Sequence, residues 1–253
     1  MNENNSLYMK SLEKAFVLLQ AFNDHSNGGH MTHKEMQKAS GLDSSTVQRL
    51  SYTLVQLGYL ERGSNRTYGI GRKFLEHAFE FLRNSPVVQR ASPVLMQLQA
   101  ETGERVDVSL FNDLTMIYVL RRQTKRQTFY ATLIGRQVPT FASTGGRVVL
   151  AHLDRQQRED ILERSNLRKI TPKTIIDKAE ILERVDQARE KGYALCMEEM
   201  MLGEIVLASP ILQSDGTPLG AIHISGSLAD WTVEAFEERN APLAIQAARS
   251  IST

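Results

Sequence analysis

This chain is short of several things, and each shortage narrows what it can be. One cysteine, Cys196, excludes an intramolecular disulfide and suits a reducing compartment. No apolar run approaches the roughly 18 residues of a membrane-spanning helix, and the polar stretch Met1 to Tyr8 lacks the apolar centre of a secretory signal. A cytoplasmic protein without a membrane partner is therefore expected. Excess charge is missing too: 30 lysines and arginines face 29 aspartates and glutamates, leaving +1. With no whole-chain basic field, any contact to nucleic acid has to come from the placement of individual basic residues. Zinc-protease, Cys-x-x-Cys, nucleophile-elbow and nucleotide-loop motifs are all absent, so neither an enzyme nor a cofactor is expected.

What the chain does have is concentrated between Thr32 and Gly69. Thr32 followed by Glu35 is a capping box, which predicts a short helix that turns Met36 and Ala39 inward and closes at Ser40-Gly41. A second helix, Ser44 to Leu57, is predicted from the N-cap oxygens of Asp43, Ser44 and Ser45 and from the stripe Val47, Leu50, Leu54 and Leu57. Its other face carries Ser45, Thr46, Gln48, Arg49, Tyr52 and Thr53. Two helices joined by a tight glycine turn make a helix-turn-helix, whose second helix fits a major groove about 12 Å wide. Gln48 can pair with adenine and Arg49 with guanine. Tyr59-Leu60 and Thr67 to Ile70 read as two strands around a polar turn, a wing that places Arg62 and Arg66 for phosphates or a minor groove. The candidate DNA-binding set is Thr32, Ser44, Ser45, Thr46, Gln48, Arg49, Tyr52, Arg62 and Arg66. Double-stranded DNA is the expected partner.

Before this motif, Tyr8 to Phe22 reads as an amphipathic helix with Leu12, Ala15, Phe16, Leu19 and Phe22 on one face. Leu18 and Phe22 are expected to meet a second copy, and Asn27 to His30 to form a loop. After the motif, Gly71 to Arg83 reads as a linker helix, and Pro86 opens a helix that closes at Thr102-Gly103. The expected domains are 1–71 (winged helix-turn-helix), 72–85 (linker) and 86–253. In the last, Val106 to Leu110 and Met116 to Leu120 form a hairpin across Asn112-Asp113, followed by Arg121, Arg122, Lys125 and Arg126 in a solvated loop. A strand at Phe129 to Leu133 and a loop at Gly135 to Pro139 lead to Ser143-Thr144-Gly145-Gly146, a helix start whose free N–H groups suit an anion. Helices at Asp154 to Arg164 and Asp177 to Lys191 come next. Strands at Tyr193 to Met197, Gly203 to Leu212 and Leu219 to Ser225 and a final helix from Thr232 to Ile251 complete an α+β domain with an antiparallel sheet.

These residues resemble the IclR-type bacterial transcriptional regulators over nearly the whole chain. The resemblance is carried by Gly58-Tyr59-Leu60 with Tyr68-Gly69-Ile70-Gly71, by Gly135-Arg136-x-Val138-Pro139 with Ala142 to Arg147, by Gly192-Tyr193-Ala194 with Glu199-x3-Gly203 and Ala208-Ser209-Pro210, and by Ile222 to Gly226. It implies a GAF-like C-terminal domain that binds a small metabolite, often a carboxylic acid. It also implies a homodimer or a dimer of dimers on a pseudo-palindromic operator. Residue by residue, the ligand set it implies is Thr144, Gly145, Cys196, Glu204, Val206, His223 and Ser225. Glu204 sits awkwardly there, because its charge repels an anionic ligand. Two rival readings are weaker. A Cys196–His223 pair, or a metal set of Cys196, Glu198, Glu199 and His223, suffers from strand alternation, which should turn Glu199 away from Cys196. A C-terminal domain that only oligomerises leaves Gly145-Gly146 unexplained.

Overall fold

The computed structural model describes residues 7–23, 29–123 and 134–253. The chain divides into two units, 1–83 and 84–253. The first contains helices α1 (Lys10–Gln20), α2 (His33–Ser40), α3 (Ser44–Gln56) and α4 (Lys73–Asn84), with strands β1 (His30–Thr32), β2 (Leu60–Arg62) and β3 (Thr67–Ile70). α2 starts on its capping box: Thr32 Oγ1 accepts the Glu35 N–H at 3.3 Å, and the Glu35 carboxylate accepts the Thr32 N–H at 2.7 Å. Gly41 ends the helix at φ 69°, in the left-handed region. Asp43 then caps α3 by accepting the Thr46 N–H at 2.9 Å. Leu18, Phe22, Met31, Met36, Val47, Leu54 and Leu60 form the core of this unit.

Three expectations are corrected here. Leu18 and Phe22 are buried in the unit's own core, at 0% and 6% exposure, and do not face outward; Leu12 and Phe16 stay out, each 54% exposed. At about 100° per residue Leu18 lies roughly 140° from the Leu12–Phe16 pair on α1, so a single helix face cannot bury both. Leu57 falls just past the last residue of α3 and is 57% exposed. The stretch before Thr32, expected as a loop, ends in β1, which pairs antiparallel with β3 to give the order β1-β3-β2. Three residues are too few to show an alternation. The rest of that stretch, Asn27 and Gly28, lies outside the described residues.

The second unit contains α5 (Pro86–Thr102), β4 (Arg105–Asn112), β5 (Thr115–Arg122), β6 (Gln137–Pro139), α6 (Thr144–Leu150), α7 (Arg155–Arg164), α8 (Lys178–Lys191), β7 (Ala194–Met197), β8 (Glu204–Leu212), β9 (Pro218–Ser227) and α9 (Val233–Ile251). Its strands form one antiparallel sheet in the order β6-β5-β4-β9-β8-β7, the α+β arrangement expected. α9 covers one face, where Gly226 abuts Phe236; α6 covers the other, where Gly145 abuts Ala221 and His223. Gln137 to Pro139, expected as loop, is the edge strand β6, a place where the missing N–H of Pro139 is tolerated. The strand expected at Phe129 to Leu133 lies outside the described residues, as do Lys125 and Arg126.

Candidate DNA interface and ligand-binding face

In the first unit, α3 turns Val47, Ser51 and Leu54 into the core and leaves Ser44, Ser45, Gln48, Arg49 and Tyr52 exposed, with Thr46 half-buried. Ser45 and Thr46 hydroxyls both donate to Asp43 at 2.7 Å; with the Thr46 N–H, these bonds hold the Asp43 carboxyl far below the usual carboxylate range. Both hydroxyls are thereby fixed in direction and keep their capacity to accept. Arg62 ends β2, and Arg66 stands in the tight turn Ser64–Arg66, where Asn65 and Arg66 take positive φ values of 55° and 59°. Both arginines are exposed. Thr32 differs from the others, because its hydroxyl donates to Glu35 at 2.8 Å and positions α2.

In the second unit, register decides which side chains meet. Asp107 lies opposite His223, Arg105 and Val206 opposite Ser225, Cys196 opposite Val206, and Glu204 opposite Ser227. Cys196, Glu204, Val206, His223 and Ser225 therefore share the sheet face beneath Thr144 and Gly145 of α6. That face does not enclose all seven around one hollow. A Cβ on Gly145 would come within 2.5 Å of the His223 ring, so α6 sits directly on that imidazole. The open space lies toward the end of β9, a cleft of about 320 Å³ lined by Arg105, Gln123, Met201, Glu204 and Ser225 among others.

Charged groups that the sequence reading passed over hold this face together. Arg105 donates to Glu204 at 2.6 Å, to Ser225 Oγ at 2.8 Å and to Asp107 at 3.1 Å. Arg121, expected in a solvated loop, lies in β5 and is 6% exposed, with Nη2 donating to the fully buried Asp107 at 3.0 Å and Nε making a second bond to it. The awkward Glu204 is thus paired with Arg105. His223 bonds Ser109 at 2.8 Å; burial chiefly, with Arg121 and Arg105 adding to it against Asp107, pushes its pKa down to about 4. Burial likewise pushes the Tyr118 phenol up to about 12. The sequence does contain a signal for this cluster: charged residues at Arg105, Asp107 and Arg121 interrupt strands that are otherwise apolar.

Cys196 and His223 do not pair. The Cys196 sulfur accepts from Arg147 at 2.8 Å, and Arg147 also donates to Glu199 at 2.6 Å. Burial raises the thiol's pKa, which disfavours a nucleophilic thiolate. Glu199 was expected to face away from Cys196, yet both reach one arginine, because Glu198 takes φ 58° and turns the chain after β7. Among the described residues no cluster of His, Cys, Asp and Glu is arranged to hold a metal ion.

A winged helix-turn-helix followed by an α+β unit with a cleft on its sheet defines a DNA-binding regulator with a separate sensing domain. The family follows from comparison with known proteins. The model of the bacterial transcriptional regulator IclR C-terminal domain matches residues 79–253, and that of the IclR helix-turn-helix domain matches residues 11–64. This chain belongs to the IclR family of bacterial transcriptional regulators. It is 28% identical to the transcriptional repressor IclR of Escherichia coli K12, over 96% of this chain and 89% of that one. An IclR transcriptional regulator from Alicyclobacillus acidocaldarius shares the fold with a TM-score of 0.82 at 22% identity, covering 97% of this chain and 98% of that one. The inducer-binding domain of the PobR transcription factor from Acinetobacter, solved as a double mutant with 3-hydroxybenzoic acid, is 27% identical, with a TM-score of 0.60 over 65% of this chain and 97% of that one.

Proposed function

We propose that this regulator takes a small carboxylic acid on the α6 face of its sheet, and that occupancy there changes its affinity for a pseudo-palindromic operator. The observation that carries the reading is the cleft of about 320 Å³ at the end of that sheet face, where Glu204 and Ser225 of the implied ligand set meet the Arg105 guanidinium, with Glu104 and Asp230 also in the lining. Arg105 and Ser225 supply donors, and among the described residues the buried Gln123 Nε2 has no hydrogen-bond partner. Glu204, neutralised by Arg105, offers an acceptor to a hydroxyl on the same acid. A hydroxylated acid of the kind seen with the PobR domain meets those requirements.

On the DNA side, Gln48 reads bases from α3, with Ser44, Ser45, Thr46, Arg49 and Tyr52 around it, while Arg62 and Arg66 hold the wing to the backbone. Two half-sites about 34 Å apart require two copies, so the active form is a homodimer or a pair of dimers. The exposed Leu12, Phe16, Leu75 and Phe79 are apolar surfaces on which copies can meet.

The test is binding of the purified protein to its own upstream DNA across a salt series and a panel of carboxylic acids. Saturable binding that one acid shifts by about 5- to 150-fold supports the reading. Specific binding that no acid alters removes the carboxylate, and binding indifferent to sequence removes operator recognition as well.

A further inference from the structure

A second cleft, again of about 320 Å³, lies between α1 and α3. Lys10, Ser11 and Lys14 line it from α1, and Thr46, Arg49, Leu50 and Thr53 line it from α3. Lys10 and Lys14 are one helical turn apart. Thr46, Arg49 and Thr53 recur at three and four residues, so each helix turns a single face toward the gap. Three cations line this cleft, and among the described residues none of them forms an ion pair. Asp43 is the acid that feels Lys14, but its two oxygens are committed to Ser45 and Thr46 at 2.7–2.9 Å. Like charges around one gap repel in the free protein, and a bound anion relieves them.

We propose that this cleft takes a backbone phosphate of DNA, held by the ammonium groups of Lys10 and Lys14 and the guanidinium of Arg49. The inference rests on the DNA-binding reading and deepens it. A helix lying in the major groove has the backbone running along both its sides, and the cleft borders the exposed face of α3. Arg49 is then a positioning contact to phosphate and no longer a reader of guanine. Base recognition falls to Gln48, one residue and about 100° away on the same helix. α1 joins the interface, and its two lysines fix the depth and register at which α3 enters the groove.

The experiment uses the full chain and two duplexes of equal length, its own upstream sequence and a shuffled one, titrated from 50 to 200 mM KCl. The variants are Lys10→Ala/Lys14→Ala, Lys10→Arg/Lys14→Arg, Arg49→Ala and Gln48→Ala. The double alanine variant and Arg49→Ala should each weaken both duplexes by the same factor. Each should also flatten the plot of log affinity against log salt by about 0.9 for every phosphate that is no longer neutralised. The double arginine variant should keep the wild-type slope, and Gln48→Ala should weaken the upstream duplex alone. An unchanged slope in the double alanine variant overturns the cleft, as does an Arg49→Ala loss confined to the upstream duplex. Wild-type protein that binds neither duplex overturns the DNA-binding reading itself.

Discussion

Replacing Asp107 with asparagine tests the charged floor of the sheet. Asp107 is fully buried and accepts from both Arg105 and Arg121, which are 15% and 6% exposed. Asparagine keeps the volume, removes the charge and turns one acceptor into an NH₂ donor that faces a guanidinium. Breaking a buried ion pair from one side costs about 3–5 kcal/mol, because the remaining charge keeps its desolvation penalty. The attraction of Arg105 to Glu204 and the one surviving carbonyl acceptor place the loss near the lower bound, at about 3 kcal/mol. Trp231 is the only tryptophan, and its indole N–H donates to Glu104 at 2.8 Å within the second unit. Its fluorescence during urea unfolding therefore follows that unit, which avoids fitting one transition to two domains. With m of about 1–3 kcal/mol per molar urea, the midpoint should fall by about 1–3 M. A fall of less than about 0.3 M would mean that the Asp107 pairs are not what holds β4 and β5 together, and the reasoning fails.

Three further outcomes follow from the geometry. His223 stays neutral in the folded chain down to about pH 4, whereas an unfolded histidine titrates near 6.5. Stability is therefore fully present above pH 6.5 and falls as pH drops toward 4, by about 2–3 kcal/mol at pH 4.5. His223→Gln should remove that part of the acid sensitivity, measured at Trp231, and an unaltered pH profile would refute it. Gly145→Ala places a methyl 2.5 Å from the His223 ring and 3.2 Å from the Ala221 Cβ, so about 1–3 kcal/mol of overpacking should appear as a lower thermal midpoint. If Gly145→Ala leaves the midpoint unchanged, α6 does not press on the sheet as described. Thr32→Ala should lose about 1 kcal/mol from the first unit through its helix cap, while Thr32→Ser holds it, measured by hydrogen exchange in α2. DNA affinity lost with exchange unchanged would instead make Thr32 a direct contact.

Local signals made the winged unit legible. Thr32 with Glu35, Gly41 and Asp43 are neighbours in sequence that satisfy one another's backbone, so the ends of α2 and α3 can be read without knowing the fold. The strands around the wing and in the second unit showed themselves by alternation and turns. What stayed hidden depends on register or rotation. Arg105 and Glu204 are 99 residues apart and meet at 2.6 Å only because β4 and β8 both flank β9. The side of α1 that faces inward was equally hidden, because both of its apolar stripes are plausible until α2 and α3 choose between them. Glu199 was misassigned for a smaller reason: alternation holds only while the strand lasts, and the positive φ of Glu198 ends it.

The charged floor also reframes the problem that Glu204 posed. Taken alone, a carboxylate among the implied ligand positions argues against an anionic effector. Paired, it loses that force, since Arg105 and Arg121 balance Asp107 and Glu204 and His223 adds no charge at neutral pH. Within that cluster an entering carboxylate meets no net negative charge, but Glu104 and Asp230 also line the cleft and oppose it. In the proposed function, Arg105 is the group that receives it. This arginine is partly exposed, lines the cleft, and among the described residues its Nη1 has no partner. An acid bound there competes with Glu204 and Asp107 for the same guanidinium, and Asp107 shares its other bonds with Arg121 on β5. Redistribution of those bonds reaches β4, β5 and β8 together. Among the described residues the apolar side under α9 shows no comparable set of shared ion pairs, so the proposed effector would act through differential pairing on the α6 side.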